Sequence, residues 1–181
     1  TTLFEGMTKD EVVKHYEKIN DQLKTIQVTI QYQDNIATFS GEMLGLRYDA
    51  KTIADQLYDI GRSPNWPTRM LQKYSTLLGL SHYQFIYHPQ YTREPVDAHL
   101  AELNETYTKE PKDALFEVKN GKVTGFRIEE NGIALDIESA QKNIEKNISG
   151  ISENTIPSGF TINVQDGIIK PKILLSEAND F

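Results

Sequence analysis

Arg62, Asn65, Trp66, Arg69, Tyr83 and Tyr87 are the side chains of this sequence best suited to holding a ligand. All six lie in the stretch 60–93, which carries Arg62, Arg69, Lys73 and Arg93 but no carboxylate, within a chain of net charge −7. Aromatic faces stack on sugar rings, and a guanidinium fork donates two parallel hydrogen bonds to a carboxylate. The only tryptophan falls in Ser63-Pro64-Asn65-Trp66-Pro67. Two prolines bracket that stretch and block regular structure, so it reads as an exposed loop. A plainer reading competes. Met70, Leu71, Tyr74, Leu77 and Leu78 have helical spacing up to Gly79, and Tyr83, Phe85 and Tyr87 alternate as on one face of a strand, so these aromatics could be packing.

Other chemistry is poorly supplied. There is no phosphate-cradling glycine loop, no dinucleotide fingerprint, no nucleophile-elbow serine and no zinc-protease helix motif. With no cysteine, disulfides, thiolate metal sites and cysteine nucleophiles are all excluded. His82 and His88 lie six residues apart on an expected strand. At about 3.3 Å per residue that is roughly 20 Å, too far to share one ion. Glu129-Glu130 and Asp55 with Asp59 read as solvated carboxylates. No metal, no cofactor and no catalytic residue is expected.

The elements that must position these side chains repeat. Phe39, Gly45 and Asp49 recur as Phe126, Gly132 and Asp136, each 87 positions on (136 less 49, for the last pair). The first copy opens on a helix at Thr8, with Glu11 at capping-box spacing and Val12, Tyr16, Ile19 and Leu23 on one face. Strands follow at 25–33 and 36–40, joined by an Asp34-Asn35 turn. Gly45 suits unusual backbone angles, and Asp49 caps a helix at 50–60. The second copy has a helix at 95–107, strands at 114–119 and 122–128 joined at Asn120-Gly121, and a helix at 137–148 behind Asp136. A last hairpin is expected from 160–164 and 168–175, turning at Asp166-Gly167, with Pro171 placing its second strand at an edge.

The fold class is therefore α+β: two copies of a helix–β-hairpin–helix unit with small, mainly antiparallel sheets. Four segments result: a first repeat unit over 1–62, an inter-repeat helix and strand over 63–94, a second repeat unit over 95–150, and a C-terminal hairpin over 151–181 leading into a truncated next element.

Composition excludes several classes of function. A net charge of −7 and an isoelectric point near 5.1 repel polyanions, so nucleic acid is not expected as a partner. No run of 18 apolar residues spans a membrane, and no signal peptide is present. The chain starts at Thr1 without a methionine and stops at Phe181, and reads as a segment of a longer protein.

Three stretches carry a resemblance: Gly6-Met7-Thr8-Lys9-Asp10-Glu11-Val12, Gly45-Leu46-Arg47-Tyr48-Asp49 and, above all, Ile60-Gly61-Arg62-Ser63-Pro64-Asn65. Through them the chain resembles the peptidoglycan-binding domain of VanW-type proteins, which also precedes the catalytic domain of some L,D-transpeptidases. Nearly the whole chain takes part, and 114–136 is similar to the better-defined half of that domain. The resemblance implies a non-catalytic, extracytoplasmic accessory domain of a bacterial cell-surface protein. It implies a membrane anchor elsewhere in the protein, a monomeric fragment, and peptidoglycan, through glycan or stem peptide, as the partner. Two other readings stay open: a spacer or interaction domain that positions a neighbour, and an enzyme whose site carries no recognised motif.

Overall fold

The computed structural model describes residues 4, 7–59, 67, 70, 74, 87–120 and 122–174. Helix α1 (Lys9–Leu23) starts where the sequence says it must. The Thr8 hydroxyl accepts the Glu11 N–H at 3.3 Å, and the Glu11 carboxylate accepts the Thr8 N–H at 2.7 Å, so two otherwise orphaned donors are satisfied reciprocally. Val12, Tyr16, Ile19 and Leu23 form its buried stripe. Strands β1 (Gln27–Tyr32) and β2 (Asn35–Ser40) follow. Their two-residue connection, Gln33-Asp34, leaves room only for antiparallel pairing, and Gln33 takes the left-handed conformation it requires (φ 51°). The turn thus lies one residue earlier than Asp34-Asn35, because Asn35 already belongs to β2.

Helix α2 (Ala50–Asp59) packs on α1. Asp49 caps it by accepting the Thr52 N–H at 3.1 Å. After 93 come α3 (Glu94–Tyr107), β3 (Leu115–Lys119), β4 (Lys122–Arg127), β5 (Gly132–Leu135) and α4 (Ile137–Ser149). Asp136 caps α4 through the Ser139 N–H at 3.0 Å. The chain closes with β6 (Gly159–Asn163) and β7 (Asp166–Ile169).

The α+β class holds, and the described residues form one three-stranded sheet in the order β2-β1-β6 and two antiparallel ribbons, β3-β4 and β5-β7. Two features depart from expectation. Strand β5 was not foreseen, because Gly132–Leu135 is short and opens on a glycine. The terminal hairpin does not form: β6 joins β1, β7 pairs with β5, and Asp166-Gly167 belongs to β7 rather than to a turn. Non-local pairing wins here because it buries Ile162 and Val164 in place of a solvent-facing ribbon.

Two compact units result. Unit 1 comprises Thr1–Thr29, Thr38–Arg93 and Ile144–Thr161; unit 2 comprises Ile30–Ala37, Glu94–Asn143 and Ile162–Phe181. The core of unit 1 includes Tyr16, Leu23, Leu44, Leu46, Tyr48, Ile53, Ile144, Ile148 and Ile151. That of unit 2 includes Ile30, Val96, Leu100, Leu103, Leu135 and Ile162. Each unit contains an asparagine that ties a first helix to the residue before a capping aspartate. Asn20 accepts the Tyr48 N–H at 2.7 Å and donates to the Tyr48 carbonyl at 3.0 Å, while Asn104 accepts the Leu135 N–H at 3.0 Å.

Candidate functional site

The turn after β2 folds back onto the end of α1 and makes one wall of a cleft in unit 1. Gly41 starts that turn: a Cβ there would run into the Leu23 carbonyl, so only glycine lets the strand meet the helix so closely. Its N–H donates to the Ile26 carbonyl at 2.8 Å, and the Glu42 N–H donates to the Lys24 carbonyl at 3.1 Å. Gly45 reverses the chain in the left-handed region (φ 59°). Leu46 then drops into the core, and Asn20 clamps Tyr48 at both its N–H and its carbonyl. The outer side of this wall is tied as well, by Arg47 and Gln90 exchanging backbone hydrogen bonds at 3.0 and 2.8 Å and by the Thr92 N–H donating to Leu44 at 2.8 Å.

The opposite wall is the polar face of α1. Glu17, Asn20, Asp21 and Lys24 recur at helical spacing on the side away from the buried stripe. Between the walls lies a cleft of about 480 Å³, lined by these four with Gly41, Glu42, Gly45, Leu46 and Arg47. That volume suits a small ligand or a short peptide segment. Lys24 and Asp21 neutralise each other at 2.8 Å. Glu17, Glu42 and Arg47 line the same space and make no ion pair among the described residues. No aromatic ring lines it among the described residues.

Beside this cleft, unit 1 holds a cluster of rings. Tyr16 meets Tyr48 edge-on at 5.4 Å and Tyr87 at 6.3 Å, with Phe4 stacked at 6.0 Å. The Tyr16 hydroxyl donates to Glu153 at 3.1 Å, and the Tyr48 hydroxyl donates to the Ile151 carbonyl at 3.0 Å. Burial, and then the Glu153 carboxylate, push the Tyr16 phenol well up; burial first of all pushes Tyr48 up to about 12. Both rings are therefore packing groups that stay protonated.

Of the six side chains singled out from sequence, Tyr87 alone is described. It is half-buried against Tyr16, and burial raises its phenol. Arg62, Asn65, Trp66, Arg69 and Tyr83 lie outside the described residues, as does His82. His88 Nδ1 donates to the Ser149 carbonyl at 2.7 Å. Among the described residues no three histidine or carboxylate side chains come together as a metal site, and no helix is long and apolar enough to cross a membrane.

The profile of one family, described as Putative peptidoglycan binding domain, matches residues 37–157, well over half of the 181 residues. The chain belongs to this family. No curated protein and no solved structure gives a significant match. The matched segment includes the Gly41–Arg47 wall of the cleft and the stretch 60–93, while the α1 wall lies ahead of it. The sequence pointed to the turn Gly45-Leu46-Arg47-Tyr48-Asp49 as a family signature, with Gly45 for its backbone angles and Asp49 as a helix cap, and not as part of a site. It gave no notice of the α1 wall, although Glu17, Asn20, Asp21 and Lys24 at i, i+3, i+4 and i+7 are the visible signal of a shared polar face.

Proposed function

We propose that this chain is a non-catalytic, extracytoplasmic accessory domain of a bacterial cell-surface protein, and that it holds that protein to peptidoglycan. The family match over 37–157 carries this reading. An anchor elsewhere in the protein keeps it peripheral to the membrane, and the domain acts as a monomer. The aromatic and cationic stretch 60–93 supplies the contact: Trp66, Tyr83 and Tyr87 against amino-sugar rings, and Arg62, Arg69 and Asn65 against stem-peptide carboxylates and amides. The acidity of the whole chain discourages general adhesion to anionic wall polymers. Weak single-site affinity suffices, because the wall is a dense array and tethering raises the effective concentration. A duplicated frame is part of the reading. It is supported by Asp49 with Thr52 and Asp136 with Ser139, two equivalent caps 87 positions apart, each preceded by a residue that an asparagine ties down.

A second reading draws on unit 2. Phe116 and Phe126 are direct cross-strand partners whose rings meet edge-on at 6.4 Å, and both remain 41% and 57% exposed, with Ile128 also 57% exposed. An apolar ribbon of this kind suits docking of a neighbouring domain, which favours an interaction or spacer role over wall contact.

Co-sedimentation with purified, teichoic-acid-free peptidoglycan tests both readings. Retention of the parent chain and loss of the Trp66→Ala/Arg62→Ala variant is the expected result. Retention of both leaves wall binding standing without this site. A folded parent that stays in the supernatant points to the interaction role.

A further inference from the structure

We infer that the cleft between α1 and the Gly41–Arg47 turn is a reading site for the charged stem peptide of peptidoglycan, separate from the aromatic stretch 60–93. This rests on the peptidoglycan reading and makes it chemically specific. Among the described residues the cleft has no ring face of the kind that sugars stack on, which argues against glycan as its occupant. Its free charges instead describe the ligand. Glu17 and Glu42 offer two carboxylates and Arg47 a guanidinium, and none of the three forms an ion pair among the described residues, although Glu42 lies close enough to act on Lys24 and Arg47 on Asp49. A ligand that satisfies all three presents an ammonium and a carboxylate together. Stem peptides do so, because their diamino residue has a side-chain amine and their last residue a terminal carboxylate.

Size agrees with this assignment. Glu17 to Lys24 is seven residues, roughly 10 Å along a helix rising 1.5 Å per residue, a span that exceeds a single ion and suits a few peptide units. The site is also built in advance. Both walls are pinned by backbone hydrogen bonds and by the Asn20 clamp, so little ordering is left for the ligand to impose. Asn20 lines the cleft but is committed to Tyr48, so among the described residues the exposed charges of Glu17, Glu42 and Arg47 are the groups left for a ligand. Exposed charges of this kind give selectivity more than strength, and their contribution falls with salt.

Binding of the soluble tetrapeptide N-acetyl-L-alanyl-γ-D-glutamyl-L-lysyl-D-alanine, whose only ammonium is on the lysyl side chain, followed by NMR or calorimetry at low salt, tests the assignment. Its side-chain-acetylated form, its terminally amidated form and free L-lysine serve as comparisons, with co-sedimentation on intact peptidoglycan run alongside. Binding at least tenfold weaker for each modified peptide and for L-lysine is expected. Arg47→Ala and the double variant Glu17→Gln/Glu42→Gln weaken the parent peptide by a similar factor, with thermal unfolding unchanged because all three side chains are exposed. A chain retained on peptidoglycan that ignores the tetrapeptide overturns the cleft assignment and leaves wall binding intact. Equal binding of the blocked peptides, equal binding of L-lysine, or variants that bind like the parent overturn it too. Loss of both retention and peptide binding by a folded chain removes the wall-binding reading with it.

Discussion

Tyr48 shows how one side chain can serve both packing and polar satisfaction. Its ring is 2% exposed, its hydroxyl donates to Ile151, and its backbone is held by Asn20. Tyr48→Phe keeps the ring but leaves the Ile151 carbonyl without this donor. A loss of about 1–3 kcal/mol, measured by urea unfolding, is expected. The same phenol sets an alkaline limit. Its folded pKa is raised above the ordinary value of 10.0, so the folded state keeps a proton that the unfolded chain gives up. Stability is therefore full below about pH 10 and declines as pH rises towards 12, and Tyr16 acts in the same direction. Unfolding midpoints that stay flat from pH 8 to 11 would contradict this. At the acid end the signs reverse. The hydrogen bonds from Thr52 to Asp49, and from the hydroxyl and N–H of Ser139 to Asp136, lower both carboxyls. Their stabilisation is present above the ordinary value near 3.8 and is lost as pH falls through the lowered ones. Asn is as good a cap but does not titrate. Asp49→Asn should therefore leave the neutral-pH midpoint nearly unchanged and flatten the acid limb.

At the scale of elements, glycines that look alike in sequence do different work. Gly41 is needed for space and Gly45 for conformation: a Cβ at Gly45 meets only the Thr92 hydroxyl, at an ordinary 3.6 Å. Gly45→Ala is expected to cost about 1–2 kcal/mol for the left-handed backbone alone. Gly41→Ala must move the turn off α1, and chemical unfolding should find it the worse of the two, by about 1–3 kcal/mol of overpacking. Gly132, the sequence counterpart of Gly45, behaves like Gly41, since a Cβ there would sit 2.5 Å from the Lys109 carbonyl. Local signals were legible: the Thr8–Glu11 box, the Asp49 and Asp136 caps, and the alternation of β1 each announce one element within a few residues. The pairing of β6 with β1 and of β7 with β5 was not legible, because a strand's partner is chosen by which apolar side chains it covers. The cleft escaped for the same reason, since its two walls come from α1 and from a turn many residues later. Of the site drawn from sequence, only Tyr87 can be placed, and it faces Tyr16.

The whole molecule is interleaved. Unit 1 takes in Ile144–Thr161 and unit 2 takes in Ile30–Ala37, so neither is a continuous stretch of chain. A fragment ending at Asn143 lacks Ile144, Ile148 and Ile151 from the unit 1 core and β6 and β7 from the sheets. It should show no cooperative unfolding by circular dichroism; a sharp transition in that fragment would mean that the units are more independent than their sharing of segments implies. The order β2-β1-β6 also bears on how the protein is made. Synthesis delivers β6 long after β1 and β2. At ~5–20 residues per second, the free side of β1 waits on the order of ten seconds for its partner. During that interval the nascent chain carries an unpaired strand edge bearing Val28 and Ile30, the kind of edge that recruits other chains. Keeping this domain soluble is therefore a task for whatever accompanies it before residue 163 emerges, rather than for the finished fold.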